Sequence, residues 1–309
     1  MSVVICKLPR AGLGNQLFPL VKAAVFAELN KMPLMVSGYN QFKIGPYLRG
    51  EKVKRSYRGY FNFQRSLARA EFDRLSLFRY RDHGEVPEPP VGRLPEGAGS
   101  GRKFIFSSIP HWSDYFAGLK EHRGLAILLL RKMIRKDILQ RVEIMRAPCI
   151  GVHIRMGDFR KLEQGEDFRS AGAVRTPEDY FMKVISAIRE ISGSDLPVSV
   201  FTDGYRQEFE KLFTMDKVEM VEGNSDIVDL LLLSRSKVIV TSAGSTFSYW
   251  SGFLSEAPLI MHPDHLHDPI RPDAVNRLAY EGPVFARTTD GFGAADELLT
   301  KNIKEIHYE

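Results

Sequence analysis

Apolar runs alternate with polar, glycine-containing breaks along the chain, and this pattern predicts successive α/β segments. Residues 2–8 form a β-branched run typical of a buried strand, and residues 15–29 place apolar side chains at helical spacing before a short apolar run at 33–36. A strand, a glycine loop, a helix and a strand in this order favour a parallel α/β unit. Residues 85–102 are rich in Pro and Gly and predict a long loop, whereas residues 118–145 predict one basic amphipathic helix or a pair.

From residue 148 onward, strands and helices alternate regularly. Thr176 is the predicted N-cap of a helix that has Pro177 in its first turn. The order of elements predicts a parallel sheet covered by helices on both faces. The predicted strands are residues 149–154, 198–202, 218–221, 237–241 and 259–262, and the predicted helices are residues 177–191, 205–213, 226–233 and 245–254.

Charge divides the chain into two halves. The length of 309 residues is enough for two domains with cores. With 44% hydrophobic and 26% charged residues, the composition argues against disorder. Residues 1–148 hold 26 Lys and Arg against 12 Asp and Glu, whereas residues 149–309 hold 17 against 26. This asymmetry predicts two units with different partners, the first facing something anionic such as a lipid-linked phosphate, a membrane surface or nucleic acid. Docking of the two halves through their opposite charges is the alternative.

The cysteines and the apolar runs indicate in which cellular compartment the protein is expected. Cys6 and Cys149 lie in apolar runs and are predicted to be buried, reduced thiols that form neither a disulfide framework nor a zinc site. No opening stretch has the order of a signal peptide, and no run reaches the 18 or so apolar residues of a membrane span. We therefore expect a cytoplasmic protein, with peripheral contact at the inner face of an anionic membrane as an addition.

The first candidate site is the glycine loop after the first strand, which includes Gly12, Gly14 and Asn15. Two glycines let a ligand approach the backbone, and amides at a helix start can meet a phosphate. Leu17 stands where a dinucleotide fingerprint requires its third glycine, and no acidic residue ends the next strand. An NAD-linked enzyme is therefore disfavoured, and a simple turn is the alternative interpretation.

The second candidate site follows the strand predicted at the start of the second half. Strand alternation puts His153 and Arg155 on one face and Ile154 and Met156 on the other. An arginine at a strand end offers a planar fork for phosphate, and ligands of open parallel sheets bind beyond the strand ends. A purely structural pair between Arg155 and Asp158 is the alternative.

Two further strand ends carry hydrogen-bonding groups. The strand that ends at Thr241 runs through Ser-Ala-Gly into Ser245, Thr246 and Phe247. The hydroxyls, amides and helix start in this turn suit an anion such as a diphosphate, and capping of the helix by Ser245 or Thr246 is a compatible alternative. Asp203 follows another strand and can accept hydrogen bonds from a base or a sugar.

Metal chemistry has little support in the sequence. No Asp-x-Asp pair occurs, so the usual carboxylate cradle for a divalent ion is missing. No Gly-x-Ser-x-Gly elbow and no Gly-Lys-Ser/Thr phosphate loop occurs either. One loop gathers histidines and aspartates and is interpreted as a polar loop in preference to a metal site: His262, Asp264, His265, His267 and Asp268.

Taken together, these motifs resemble glycosyltransferase family 11, the α-1,2-fucosyltransferases, within the wider fucosyltransferase superfamily. They occur in family order between residue 12 and about residue 262, whereas residues 40–120 match nothing in the family. The matched motifs are Gly-Leu-Gly-Asn-Gln-Leu-Phe from Gly12, His-Ile-Arg-Met-Gly-Asp-Phe from His153, Phe-Thr-Asp from Phe201, and the segment from Asp229-Leu to Ser248-Tyr-Trp.

The resemblance implies an α/β fold of GT-B type, with two Rossmann-like domains whose parallel sheets face a central cleft. It implies an acceptor-side domain at residues 1–147 and a nucleotide-sugar domain at residues 148–309, the last helix returning to the first domain as an alternative. It further implies inverting transfer of L-fucose from GDP-fucose, without metal or other cofactor, to the 2-hydroxyl of a galactose in an oligosaccharide or lipid-linked glycan.

Two alternatives to this function stay open. One is a transferase of the same fold that uses another GDP-sugar or makes another linkage. The other, from a different class, is a nucleic-acid or anionic-lipid binding protein that uses the basic, aromatic residues 49–81.

Carried over residue by residue, the resemblance implies that Arg155 grips the diphosphate and that Asp203 lies near the guanine. The other donor-binding residues that it implies are Gly12, Gly14, Asn15, His153, Ser245, Thr246 and Phe247.

An inverting transfer also needs one base for the acceptor hydroxyl. Asp158 and Glu163 are the candidates, the latter because related α-1,6-fucosyltransferases carry a catalytic Glu ten residues after the motif His. Met156 replaces the second arginine of the family motif and removes a cation. Arg160 and Lys161 are its candidate replacements.

Overall fold

The computed structural model describes residues 2–38, 44–48, 50, 52, 57, 59–62, 80–97, 100–272, 279–284, 287–288, 291–292 and 296–306. Contacts divide the chain into two units. The first comprises Met1–Lys43, Arg55–Arg141 and Ile270–Pro272, and the second comprises Ile44–Lys54, Val142–Pro269 and Asp273–Glu309. The main crossing between the units, after Arg141, lies close to the boundary predicted at residues 147 and 148. Most of the basic segment 49–81 falls outside the described residues.

The first unit contains a parallel sheet of four strands in the order β2-β1-β4-β3. The prediction of a loop at residues 85–102 is wrong at its beginning, because Gly84–Pro87 form the edge strand β3. An exposed edge strand needs no apolar alternation, so its sequence gives little sign of it. The strands are β1 (Val3–Lys7), β2 (Leu34–Ser37), β3 (Gly84–Pro87) and β4 (Arg102–Phe106).

Helix α1 (Leu13–Leu29) packs against this sheet and is buried over most of its length. The ring of Phe26 lies 5.1 Å from that of Phe104 and 5.3 Å from that of Phe106, both on β4. These aromatic contacts bury large apolar surfaces and account for the tight association of the helix with the sheet. The strand, helix and strand predicted at the start of the chain are confirmed.

Three further helices follow in the sequence. The one-turn helix α2 (Gly45–Leu48) belongs to the second unit, whereas α3 (Arg123–Met133) packs against α1. Helix α4 (Lys136–Ile144) comes directly after α3. Residues 118–145 therefore contain a pair of helices, which is one of the two arrangements predicted.

The second unit contains a parallel sheet of six strands in the order β10-β9-β8-β5-β6-β7. Counted within the unit, this is the Rossmann order 3-2-1-4-5-6, in which the strand order reverses between β5 and β8. All five strands predicted in this half are confirmed. They are β5 (Ile150–Ile154), β6 (Val198–Thr202), β7 (Val218–Met220), β8 (Val238–Val240) and β9 (Leu259–Ile260), and β10 (Glu281–Gly282) completes the sheet.

Helices of the second unit join these strands. The helix predicted at residues 205–213 is wrong: the segment forms two short 3-10 turns, Arg206–Glu208 and Glu210–Thr214. Phe209 between them has a φ of −154°, which breaks the helical path. The α-helices are α5 (Glu178–Ser192), α6 (Asp226–Leu233), α7 (Thr246–Leu254) and α8 (Glu297–Lys304), and β11 (Arg287–Thr288) pairs with β12 (Gly291–Phe292).

The last helix belongs to the second unit. Helix α8 packs against α5 within the second unit. Leu299 and Ile303 are fully buried on its apolar face, in the same cluster as the α5 residues Ile185 and Ile188. Burial of that face fixes the helix on the second sheet.

Cys6 and Cys149 are buried and unbridged, as predicted. Burial raises the pKa of both thiols, so neither is poised as a thiolate. No helix in the described part of the chain is long and apolar enough to cross a membrane.

Candidate active site

Three neighbouring strands of the second sheet end at the same edge, and each carries a predicted motif there. Arg155 follows β5, Asp203 follows β6, and the turn at residues 241–245 follows β8. Because β5 is paired in parallel with both β6 and β8, these three ends are neighbours. They meet where the strand order reverses, which is the place where open α/β sheets bind ligands.

Arg155 is held by two carboxylates. Its guanidinium forms an ion pair with Asp203 and a second with Asp158, whose Oδ1 lies 2.5 Å from Nη2. The backbone amide of Met156 donates to the other oxygen of Asp203 at 2.7 Å. Side-chain exposure is 18% for Arg155 and 13% for Asp203 but 42% for Asp158, so the Asp203 pair is the more shielded from water.

Ser242 joins the second motif to the turn after β8. Its hydroxyl donates to the carbonyl of His153 at 2.9 Å and accepts from the amide of Arg155 at 2.8 Å. Ser242 is fully buried, so these two bonds are shielded from water. One serine therefore fixes the backbone on both sides of Ile154 relative to the turn.

His153 is buried beside the same turn. Its ring stacks on Phe247 with centroids 4.7 Å apart and planes 23° apart, and Ser245 Oγ lies 3.5 Å from Nδ1. Burial, followed by the nearby charge of Arg155, lowers the pKa of His153 to about 3. The imidazole is therefore neutral at physiological pH. Ile154 and Met156 belong to the core cluster of the second unit and His153 does not, which agrees with the alternation predicted along this strand.

The turn between β8 and α7 is shaped by its own hydrogen bonds. Gly244 has a left-handed φ of 68°, a conformation that favours glycine. The amide of Ala243 donates to Thr176 Oγ1 at 2.9 Å, and the amide of Gly244 donates to the Tyr249 hydroxyl at 3.0 Å. The first amides of α7, which begins at Thr246, have no partner within the helix and are suited to an anion.

The N-cap position predicted for Ser245 is confirmed, whereas the one predicted for Thr176 is wrong. Ser245 occupies the N-cap position of α7, but its side chain makes no capping bond, and Thr246 is the first helical residue. Pro177, not Thr176, is at the N-cap position of α5. In both cases a tertiary partner takes the hydroxyl: His153 lies next to Ser245, and Ala243 donates to Thr176.

The loop after Asp158 carries Glu163. Arg160 forms a two-bond ion pair with Glu166, and Glu166 Oε2 also accepts from the Glu163 amide at 3.1 Å. Hydrogen bonds from Arg160, and then from the Glu163 amide, lower the pKa of Glu166 to about 2. The Glu163 side chain is exposed on this turn, whereas Asp158 and Asp203 each contact Arg155 directly.

Arg160 and Lys161, the candidate replacements for the missing arginine, differ in their ion pairing and exposure. Arg160 forms an ion pair with Glu166, whereas Lys161 is exposed on the loop. Met156 is buried in the core of the second unit. A Cβ atom on Gly204 would lie 2.5 Å from Met156 Cγ, so Met156 packs directly over this glycine. Position 156 thus lies in the core of the second unit in this chain.

The glycine loop lies in the first unit. Gly12 is the N-cap residue of α1, with an ordinary φ of −63°, and an added Cβ would meet nothing within 4 Å. Gly14 is buried, and Oδ1 of Asn15 is buried without a hydrogen-bond partner in the described part of the chain. Open space beside Gly12 together with an unsatisfied Asn15 oxygen fits a ligand contact, because buried polar atoms are otherwise paired.

The histidine-rich loop packs on aromatic rings. His262 and His265 each lie with ring centroids 4.7 Å from that of Phe168, and His265 Nε2 is 2.9 Å from the Phe168 carbonyl. Among the residues the structure describes, no group of three or more His, Cys, Asp or Glu could hold a metal ion.

Sequence reasoning missed the structural roles of Ser242 and Thr176. Both are small hydroxyl residues next to a predicted element end, which is a common and unspecific pattern. Their partners lie 87 and 67 residues away in the chain, so only the strand order could have revealed them.

Comparison with known proteins now decides the family. The model of glycosyl transferase family 11 matches residues 98–261, more than half of the chain. The chain belongs to glycosyl transferase family 11. This family 11 protein is 26% identical over 274 residues to the α-1,2-colitosyltransferase of Escherichia coli, with 84% of this chain and 90% of that protein covered.

A solved structure shows the same fold. The fucosyltransferase NodZ from Bradyrhizobium aligns with a TM-score of 0.50 at 16% identity, covering 86% of this chain and 97% of NodZ. POFUT1 in complex with GDP-fucose aligns with a TM-score of 0.49 at 13% identity, covering 83% and 94%. The fold class predicted for this family 11 protein, α/β of GT-B type, is confirmed.

Proposed function

We propose that this family 11 glycosyltransferase moves L-fucose from GDP-fucose to the 2-hydroxyl of a galactose in an acceptor glycan, with inversion and without a metal ion. The observation that carries the proposal is the meeting of Arg155 with the Ser242–Phe247 turn at the edge where the second sheet reverses its strand order. A guanidinium and the first amides of a helix are the groups that bind a nucleotide diphosphate.

Charge stabilisation of the leaving GDP falls to Arg155 and to the start of α7. When the bond between fucose C1 and the phosphate oxygen breaks, negative charge grows on the diphosphate. Fixed donors in a shielded site stabilise that charge more than water does, because they need no reorganisation. The neutral, buried His153 stacks on Phe247 and holds this wall of the site without adding charge.

Asp203 is assigned a positioning role. The resemblance implies that it lies near guanine, yet one oxygen is paired with Arg155 and the other accepts from the Met156 amide. A carboxylate with both oxygens engaged is a poor reader of a base edge. Asp203 instead holds the guanidinium in a fixed plane before the donor arrives.

The acceptor proton goes to a carboxylate of the loop after β5. As the acceptor oxygen bonds to fucose C1, its proton passes to Glu163 or Asp158, and GDP leaves with the electron pair of the broken bond. Glu163 is favoured because its side chain is exposed and its backbone is fixed by Glu166, whereas Asp158 is already paired with Arg155. The turn built by Arg160 and Glu166 then sets where the base stands.

A related donor is the second candidate. The Escherichia coli relative is an α-1,2-colitosyltransferase, so transfer of another GDP-linked deoxy sugar through the same diphosphate site is the nearest alternative. The proposed phosphate contacts of Gly12, Gly14 and Asn15 in the first unit stay predictions.

A GDP-release assay tests the proposal. The purified chain is incubated with a panel of galactose-terminated oligosaccharides and GDP-fucose, GDP-colitose or GDP-mannose, with and without EDTA. We expect release with GDP-fucose that needs acceptor and is unchanged by EDTA, and the product linkage is then read by NMR. Release with GDP-colitose alone would transfer the assignment to that donor, and NADH binding without GDP binding would overturn it.

A further inference from the structure

One of the two tryptophans of this chain is exposed. Trp112 is 56% exposed, whereas Trp250 is fully buried. Trp112 lies in residues 107–116, the post-β4 segment, which falls inside the region matched by the family model but contains none of the four motifs quoted in the sequence analysis. A single exposed apolar side chain is ordinary on a protein surface. Trp112 differs from such a residue in its position at the edge of the first sheet and in the contacts that fix the segment around it.

The post-β4 segment leaves the first sheet at its carboxyl edge. Strands β1 and β4 are paired in parallel with Cys6 opposite Phe106. The glycine loop after β1 and the segment after β4 therefore leave from the same edge. Ligands of open parallel α/β sheets bind beyond this edge. Trp112 stands where the first unit is expected to receive a ligand.

The beginning of the segment is fixed by a shielded ion pair. Glu88 Oε2 accepts from the amides of Ser107 and Ser108 at 3.3 and 3.0 Å, and the other oxygen of Glu88 pairs with Lys22. Lys22 is itself 9% exposed. Burying two charges is costly unless they are paired and hydrogen-bonded, and here the hydrogen bonds go to this segment.

The end of the segment is fixed by aromatic packing. Tyr115 stacks on Phe18 of α1 with centroids 5.3 Å apart, and Phe116 meets the same ring edge-on at 5.1 Å. Phe116 and Leu119 are buried. Between these two anchors, His111 Nδ1 lies 2.8 Å from Ser113 Oγ, which fixes the short turn that carries Trp112. The exposed indole is therefore preorganised.

We propose that Trp112 is the surface on which a sugar ring of the acceptor glycan stacks, an inference that rests on the proposed transfer to a glycan. A pyranose has a face of C–H groups and a rim of hydroxyls. When the C–H face packs on the indole, both surfaces are removed from water, which is favourable for apolar surface against an aromatic ring. His111 and Ser113 beside the indole supply polar atoms for the hydroxyls.

The charge of the segment favours a sugar over a nucleic acid. Sites that stack bases combine aromatic rings with cations that follow the phosphate backbone. Residues 107–116 contain no Lys or Arg and one Asp. Lys22, the buried cation beneath the beginning of the segment, is paired with Glu88. An uncharged ligand with an apolar face is the better match.

Intrinsic fluorescence tests the proposal without relying on turnover. Because Trp250 is fully buried, acrylamide quenches mainly the indole of Trp112. We expect lactose and longer galactose-terminated oligosaccharides to protect this indole from quenching, and we expect no protection in Trp112→Phe. If a glycan supports GDP release but no glycan protects the indole, the stacking proposal is overturned and the transferase function stands. Protection without GDP release from any donor overturns the transferase function alone, and the absence of both overturns both.

Kinetics of the intact enzyme give the second test. In Trp112→Ala we expect the acceptor KM to rise by about tenfold or more while kcat and the donor KM stay within about twofold, because stacking contributes to acceptor binding and not to donor binding. Trp112→Phe retains a ring and is expected to lose less. Ile144→Ala, at an exposed apolar residue of the second unit, is the matched control. A wild-type acceptor KM in Trp112→Ala would refute the assignment.

Discussion

Asp203 forms an ion pair with Arg155 across the neighbouring strands β6 and β5, and its second oxygen accepts a hydrogen bond from the Met156 amide. One carboxylate thus orients both the side chain of residue 155 and the backbone that follows it. The arrangement keeps a guanidinium in place at the sheet edge before any substrate binds. Preorganised charge of this kind is what the metal-free transfer proposed above would need.

Mutation can separate the roles of the two Asp203 oxygens. Asp203→Asn keeps an oxygen for the Met156 amide but loses the charge that holds Arg155. We therefore expect a raised donor KM and a smaller loss of thermal stability than in Asp203→Ala, because Asp158 still pairs with Arg155. Asp203→Ala also leaves the shielded Met156 amide unpaired, which costs about 1–3 kcal/mol of folding free energy. Thermal unfolding and donor kinetics measured together check this, and equal melting temperatures for the two variants would contradict it.

Loss of the guanidinium should abolish most of the activity. For Arg155→Ala we expect GDP release to fall about 10²–10³-fold, the usual effect of removing one donor that stabilises transition-state charge. Arg155→Lys retains the charge but not the planar fork and should recover only part of the rate. Lys183→Ala, at an exposed cation on α5, is the control and should retain full activity. An Arg155→Ala enzyme with wild-type kcat and donor KM would refute the role.

Two matched amide variants identify the base. We expect Glu163→Gln to lower kcat by about 10²–10⁴-fold and to remove the acidic limb of the pH–rate profile, as loss of a general base does. Asp158→Asn should mainly raise the donor KM, because Asp158 contacts Arg155. Glu190→Gln on the exposed face of α5 is the control. If Asp158→Asn instead removes the acidic limb, the base is Asp158.

His153 makes stability depend on pH. Its pKa is about 3 in the folded protein and 6.5 in the unfolded chain. Between these values the unfolded chain binds a proton that the folded state does not, so stability falls as the pH is lowered from 6.5, by up to about 1.4 kcal/mol per pH unit. We expect His153→Asn to show a correspondingly shallower decline.

Urea unfolding at several pH values between 4 and 7 measures this difference. His122→Asn, at a half-buried histidine of the first unit, serves as the control and should follow the wild-type profile. Parallel profiles for wild type and His153→Asn would show that His153 is not the group responsible.

Gly204 is required by the packing of Met156. A Cβ atom at this position would lie 2.5 Å from Met156 Cγ and 2.8 Å from Met156 Cβ. Gly204→Ala is therefore expected to lower the free energy of unfolding by about 1–3 kcal/mol, as overpacking does. Gly172→Ala, where the added Cβ meets nothing within 4 Å, should change it by less than about 0.5 kcal/mol. Equal stabilities in urea unfolding would rule out this close packing.

Much of the fold could be predicted from local pattern. The helix predicted at residues 226–233 has those bounds in the structure, because its apolar run is continuous and the polar residues on either side are distinct. The strands of the second sheet are predicted within one or two residues for the same reason. The edge strand β3 and the two 3-10 turns after residue 205 are not predicted, because their sequences have no regular spacing of apolar residues.

The sequence by itself determined that Arg155, Asp203 and the turn before α7 lie at strand ends, because parallel topology follows from the alternation of strands and helices. Tertiary structure alone decided what these residues touch. Asp203 reaches Arg155 over 48 residues of chain, and Ser242 reaches it over 87. Hydrogen-bond partners at such separations depend on which strands become neighbours and in which register, and no local pattern of residues encodes either.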